Sequence, residues 1–445
     1  MTHRRPLIRL AYPVYCELLA SVAAGIITMV WVAPLGGDAV AAVAVATNVE
    51  NLLLGVVLMA ASGTTVLVAR ACGADDPGAV QAAVRGGRAL CALLVPPVAL
   101  GGFLLREPLA RLVLGAADTP AVALATAYFA ISLPGTAVFF ATTVVDGVLK
   151  GAGDTRTPMR LAFLANGLIL VLDPLLIHAY GVRGAALATV VGRTVALAAG
   201  LLALRRNPLL RAARAARPAG PAGPSEGTLT ALRRTATTGL PMSVDFVVRM
   251  AGALALVAVV ARLGVTQVAA YGIATKAMYV ATMAFYAVRQ AAAIHTAHLL
   301  GAGRDERRPV ARQALLLGIT LGTAAAGLLL LTADLVMRGF GAAPDVAAAG
   351  ALQLRCLGPY LVLMAGFIAL AGVFEGSGDS PRLARITVVG VLAQLPLAHA
   401  FSGLGLPGIC LAMGLAMAGQ CAALGLLHRR TPGSQATGRL LARSG

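Results

Sequence analysis

The sequence predicts an all-α polytopic membrane protein with twelve transmembrane helices, built as two parallel six-helix repeats. Three observations predict it: composition, the spacing of long apolar runs, and an internal duplication. Hydrophobic residues make up 58% of the 445, and the 51 glycines raise the apolar share to about 69%, against roughly 45–50% in soluble domains. Only 12% are charged, and no soluble fold of this size has interior enough to hide that much apolar surface. This excludes a cytosolic enzyme, a disordered chain and a secreted disulfide scaffold.

A spanning helix needs about 20 mainly apolar residues. In chain order such segments fall at 11–34, 46–69, 87–105, 121–149, 158–178 and 184–204, then at 237–261, 268–298, 310–332, 345–373, 383–403 and 407–427. Arg4, Arg5 and Arg9 precede the first run, which continues past Glu17 to about Ala33 with no small-residue cleavage pattern. It therefore reads as a membrane helix rather than a signal peptide. Pro13 lies at its start, and the fifth run carries Asp173 and Pro174 within LVLDPLLI. After the fourth run comes GAGD, in which Gly151 and Gly153 close one helix and Asp154 caps the next, with Pro158 in its first turn. Gly376, Gly378 and Asp379 repeat this after the tenth run. Neither glycine motif is a phosphate loop, since no GK[ST] follows and no strand precedes.

Loop charge sets the orientation. With the N-terminus inside, the external segments hold Arg106, Arg111, Arg183, Arg262 and Arg338, and every other loop cation is cytoplasmic. That bias places both termini in the cytoplasm, with the chain in the cell membrane. The net charge of +18 is thus spread over short loops, unlike a nucleic-acid binder, which gathers it on one soluble face. The longest loop, 205–236, carries Arg205, Arg206, Arg211, Arg214 and Arg217 against anionic headgroups, then the flexible stretch PAGPAGPSEG at 218–227. It divides an N-terminal six-helix bundle (1–204) from a C-terminal one (237–428), followed by a tail at 429–445.

The halves align. A shift of 228 lays LGGDAVAAVAVATN (35–48) over LGVTQVAAYGIATK (263–276), with seven of fourteen residues identical. The same shift pairs Pro13 with Pro241, Glu17 with Asp245, and Gly73-Ala74 with Gly301-Ala302; a shift of 225 brings GAGDTRTP onto GSGDSPRL. Six helices per repeat means that both copies face the membrane the same way, as in transporters whose path runs between the halves near the midplane.

An ionisable group inside a span is costly unless paired or hydrated, so each is a functional candidate. Asp173 is the foremost, because a mid-span carboxylate can take a proton from one side and release it to the other. Asn166, seven residues earlier, shares its helix face. Glu17 and Asp245 hold equivalent places near the inner ends of helices one and seven, and either line the path or stand in interfacial water. Glu50, with Asn48 and Asn51, lies nearer the outside. Arg193, Arg249, Lys276, Arg289 and Arg355 are intramembrane cations; Arg249 follows Asp245 at i+4, a pairing distance. Lys276 either balances a carboxylate such as Asp173 or Glu50 or snorkels to the surface. Tyr271, Tyr279, Tyr286, Gln290 and Gln394 add candidate contacts.

Other chemistry finds no footing. His295 and His298 lack the carboxylate or cysteine that would complete a metal site. The six cysteines sit in or beside apolar runs without CxxC spacing, as structural residues. No GxSxG, HExxH or paired-carboxylate arrangement is present, so the chain is expected to be no enzyme and to need no cofactor.

The order of WVAPLGGDAVAA (31–42), GTTVLVARACGADD (63–76), LKGAGDTRTPM (149–159), LDPLLI (172–177) and their second-half counterparts resembles the multidrug and toxic compound extrusion family. More closely, it resembles the bacterial branch whose coupling site is in the N-terminal half. The resemblance implies two bundles forming a V-shaped cleft that opens alternately inward and outward. It also implies efflux of organic compounds driven by proton or sodium entry, and Asp173 as the coupling carboxylate. Thr28 stands where that branch often has a partner aspartate, and Ile169 where an asparagine is usual. Arg249 stands where another branch has a coupling glutamate. One carboxylate with hydroxyl and amide neighbours suits a proton better than sodium, which prefers several oxygen ligands. The expected protein is a monomeric antiporter for amphipathic drugs or natural products. A lipid-linked oligosaccharide flippase of the same plan is the alternative, its anionic cargo held by Arg249, Lys276 and Arg289.

Overall fold

The computed structural model describes residues 3–115, 119–215 and 227–430. Residues 218–226 of the expected linker, Arg217 and most of the 429–445 tail lie outside them. Among the described residues all regular structure is helical. The first half holds α1 (Arg4–Val32), α2 (Gly37–Gly73), α3 (Pro77–Leu104), α4 (Arg106–Leu114), α5 (Pro120–Gly151), α6 (Arg156–Tyr180), α7 (Val182–Arg206) and α8 (Pro208–Ala215). The second holds α9 (Thr228–Ala261), α10 (Val265–Gly301), α11 (Arg307–Gly339), α12 (Pro344–Cys356), α13 (Gly358–Ser377), α14 (Ser380–Ala400) and α15 (Leu406–Arg430). Twelve of these helices are long and apolar enough to span a membrane; α4, α8 and α12 are not among them.

The tenth expected span, 345–373, is corrected: the chain breaks at Leu357 into α12 and α13, and only α13 qualifies as a span. The repeat supplies the reason. Pro359 corresponds to Pro134, which sits inside the unbroken α5. A proline removes one helical donor and crowds the preceding turn. Leu133 precedes Pro134 and is buried, holding α5 together. Gly358 precedes Pro359, has low helix propensity and no side chain to pack, so the same proline ends a helix there.

Elsewhere the two halves keep their correspondence. α2 and α10 are each 37 residues long and displaced by 228. Each starts after a glycine with positive φ, Gly36 and Gly264, and the turns that end them place Asp75 and Gly303 in the same left-handed region.

The chain packs as two compact units. One is Cys16–Ser243; the other comprises the described residues of Met1–Tyr15 and Val244–Gly445. In the first, α5 packs against α2, α3 and α7, and α6 packs on α7. In the second, α13 packs against α10, α11 and α15, around a core that includes Phe285, Leu354, Leu361 and Phe367. Small residues allow the closest crossings. A Cβ added at Gly151 would meet the Thr65 carbonyl oxygen at 2.7 Å, and one at Gly376 would strike the Ala293 carbonyl, the same contact in the other half. Gly151→Ala is therefore expected to cost about 1–3 kcal/mol by overpacking. Gly167→Ala, which meets nothing within 4 Å, is expected to cost nothing. Melting curves of the purified variants check the pair.

Candidate functional site

In the Cys16–Ser243 unit the site is built on α1, α5 and α6. Asp173, two turns from the end of α6, is fully buried. Its Oδ2 accepts a hydrogen bond of 2.5 Å from the Thr28 hydroxyl of α1, and its Oδ1 has no partner. Pro174 follows inside a helix that continues to Tyr180. The buried Ile169 lies one turn before Asp173, so no amide reaches the carboxylate from there. Asn166 shares the helix face but forms no bond to Asp173, and its Nδ2 is also buried without a partner. A buried carboxylate with one donor and a bare oxygen is poised to accept a proton, because the protonated form relieves the charge and supplies a donor.

Midway along α1, Glu17 is largely shielded from solvent. Its Oε1 pairs at 2.8 Å with the buried Lys150 of α5, and its Oε2 has no partner. Asp146, one turn before Lys150, acts electrostatically on both and has an unpartnered Oδ1.

Glu50 lines a cavity of ≈ 70 Å³ with Asn51, Ser132, Thr136, Phe139 and Arg193. Arg193 lies over the Phe139 ring, 4.4 Å from its centroid. A pocket of this size admits waters rather than a drug.

In the other unit Asp245 is the centre of a buried network. Arg249 donates to it from 3.2 Å at i+4, Arg289 of α10 from 2.7 Å, and the Thr387 hydroxyl of α14 from 2.5 Å. Arg289 also pairs at 2.6 Å with Glu375 of α13. Two arginines and two carboxylates balance, and the network ties four helices together.

The remaining candidates fall elsewhere. Lys276 is exposed and makes no ion pair among the described residues. Tyr271 is packed in the apolar core of its unit rather than presented on a surface. Arg355 pairs with Asp334 at 2.7 Å in an exposed position. Gly153 and Gly378 take positive φ, at +83° and +88°, and Asp154 accepts from the Thr157 amide at 3.0 Å, as a capping residue should. Asp379 instead pairs with Arg382 at 3.2 Å. His295 bonds His3 at 3.1 Å, and His3 reaches Glu306 at 2.9 Å, yet no group of three metal-ligating side chains forms among the described residues.

Sequence pattern alone does not single out Asp146, Lys150, Glu375 or Thr387. One signal was available: the shift of 225 that aligns the glycine motifs also sets Lys150 opposite Glu375, inverting the charge at one repeat position.

Comparison with known proteins is consistent with this architecture. A sequence model of the MatE family matches residues 13–175 and 241–399. The chain is 25% identical over 425 residues to the "Probable multidrug resistance protein NorM" of Thermotoga maritima, covering 92% of this chain and 89% of that one. It is 26% identical over 322 residues to the "FAD transporter" of Shewanella oneidensis, covering 71% and 68%. Its fold superposes on a structure described as the "outward-facing conformation of a multidrug resistance MATE family transporter of the MOP superfamily", with TM-score 0.86, 22% identity and coverage of 96% and 95%. A MOP superfamily transporter from Pyrococcus furiosus superposes with TM-score 0.85 at 22% identity, again covering 96% and 95%.

Proposed function

The chain belongs to the MatE family of membrane transporters, and from that premise we propose that it is a secondary antiporter. It exports amphipathic organic compounds, drugs or natural products, in exchange for protons. The family's members are transporters, not enzymes, and the protein is a multi-pass membrane protein.

The observation that carries the coupling assignment is Asp173: fully buried within a span, held by one hydroxyl and bare on its other oxygen. An inorganic cation needs several oxygen ligands. A single carboxylate beside a threonine offers too few, which favours a proton over sodium. In the cycle Asp173 is protonated from outside, the Thr28 bond rearranges, and α6 shifts about Pro174 as the N-terminal unit releases its cargo outward. Deprotonation to the cytoplasm resets the carrier. The protein works as a monomer with both termini in the cytoplasm, the N-terminal half carrying the coupling site as in the bacterial branch that the sequence resembles.

The second unit favours the antiporter over the flippase reading. Arg249 and Arg289, two of the cations that would hold an anionic cargo, are already matched by Asp245 and Glu375. The relative named an FAD transporter makes a dinucleotide the second substrate class to offer.

The test is flux in proteoliposomes with a fluorescent organic cation, driven separately by a proton and by a sodium gradient, with FAD as a parallel cargo. Proton-driven cation export is expected. Export under sodium alone overturns the ion assignment, and absence of cation flux alongside FAD flux overturns the substrate class.

A further inference from the structure

We propose that the cluster of Glu17, Asp146 and the buried Lys150 is a second proton-binding site, with the proton on Asp146 while Glu17 stays ionised in its pair with Lys150. Binding itself needs no transport; its place in an exchange cycle rests on the antiport reading above.

The argument begins with a charge count. Two carboxylates face one ammonium, so with every group ionised the cluster carries one net negative charge. Lys150 is committed to Glu17 Oε1 at 2.8 Å, and both side chains are largely shielded from solvent, at 9% and 14% exposure. Glu17 Oε2 and Asp146 Oδ1 are buried and have no hydrogen-bond partner. Two bare anionic oxygens around one cation are costly in such a place. A proton on Asp146 cancels the excess charge and turns one of its oxygens from an unpartnered acceptor into a donor.

No other charge does this work. The charged groups acting on Asp146 are Lys150 and Glu17. The helices packed against this stretch of α5 bring neutral groups to it: Ala61, Thr65 and Val68 from α2, Val80 and Leu90 from α3, Leu161 from α6, and Gly200 from α7. The corresponding place in the other unit shows the contrast. There Asp245 and Glu375 stand where Glu17 and Lys150 stand here, and Arg249 with Arg289 balances them fully. The uncompensated charge therefore belongs to the N-terminal unit.

Position gives the site a use. Glu17 and Thr28 are eleven residues apart on α1, about 16 Å along the helix axis. One helix thus supplies a partner to each of two acids, Asp146 through Glu17 and Lys150, and Asp173 through Thr28. A movement of α1 alters both sites together, so the carrier can take up two protons per turnover instead of one.

The test is infrared difference spectroscopy of the full-length protein in lipid nanodiscs as pH is stepped down, reading the appearance of buried carboxylic-acid carbonyl bands. Wild type is expected to show two. Asp173→Asn removes one and Asp146→Asn the other. Glu17→Gln also removes the Asp146 band, because Lys150 is then free to neutralise Asp146 without a proton; a purely structural Asp146 would not respond in this way. An unchanged band set in Asp146→Asn overturns the proposal, as does a second band that survives Glu17→Gln. A cluster that answers sodium at fixed pH rather than acid overturns it too. Helix content read from the amide bands checks folding, and if Asp146→Asn fails to fold, Glu17→Gln decides alone. Loss of the Asp173 band from wild type with the cluster band intact would sink the coupling assignment and leave this proposal standing.

Discussion

Asp173→Asn is expected to reduce proton-driven export to the level of empty liposomes while the protein folds and inserts normally. The amide has nearly the volume of the carboxylic acid and still offers an oxygen to the Thr28 hydroxyl, so the bond between α1 and α6 survives. Stability should change by about 1 kcal/mol or less, the net worth of one altered hydrogen bond. What the variant lacks is the ability to change charge, and charge change is what couples a mid-span group to a proton gradient. Thr28→Val separates holding the carboxylate from titrating it. It removes the single donor to Asp173 Oδ2 and is expected to shift the pH dependence of export without abolishing it. Retention of proton-driven export in Asp173→Asn would move the coupling site off α6.

The second large effect is on stability. Arg289→Met is expected to cost about 3–5 kcal/mol, because it strips Glu375 of its cation and takes from Asp245 one of two. Glu375 is 7% exposed and cannot turn to water. The double variant Arg289→Met with Glu375→Met is expected to recover much of the loss, since removing both members of a buried pair is far cheaper than stranding one. Asp245 keeps Arg249 and the Thr387 hydroxyl throughout. Thermal melts in one detergent read the difference. A double variant no better than the single would show that the arginine acts through packing against Tyr286, whose ring centroid lies 5.8 Å away, rather than through charge.

Legibility follows the range of the interaction. The spans are readable because a helix that crosses lipid must satisfy its own backbone bonds and present apolar side chains, so its signature lies in one continuous stretch. The broken span at Gly358-Pro359 depends on what flanks a proline: the matching Pro134 bends nothing to breaking point because Leu133 is buried beside it. Asp173 is legible because a carboxylate within an apolar run is anomalous by itself. Arg249 with Asp245 is legible because i+4 is a local spacing.

The cluster partners were not legible. Lys150 sits at the end of an apolar run beside a glycine motif, where a lysine reads as a loop cation; only the folded chain brings Glu17 of α1 to it. Glu375 likewise reads as the polar end of a helix until α10 brings Arg289 to it. Tyr271 runs the other way, a plausible lining residue by composition that packing places in a core.

The sequence by itself determined that this protein lies in a membrane, that it is helical and twice repeated, and which family it joins. Those properties are written in hydropathy, period and motif order, all local or additive along the chain. Only the tertiary structure decided which charges are neutralised and which are left over. Pairing depends on contacts between helices far apart in sequence, and the difference between a balanced network around Asp245 and an unbalanced one around Asp146 is a single cation placed by packing.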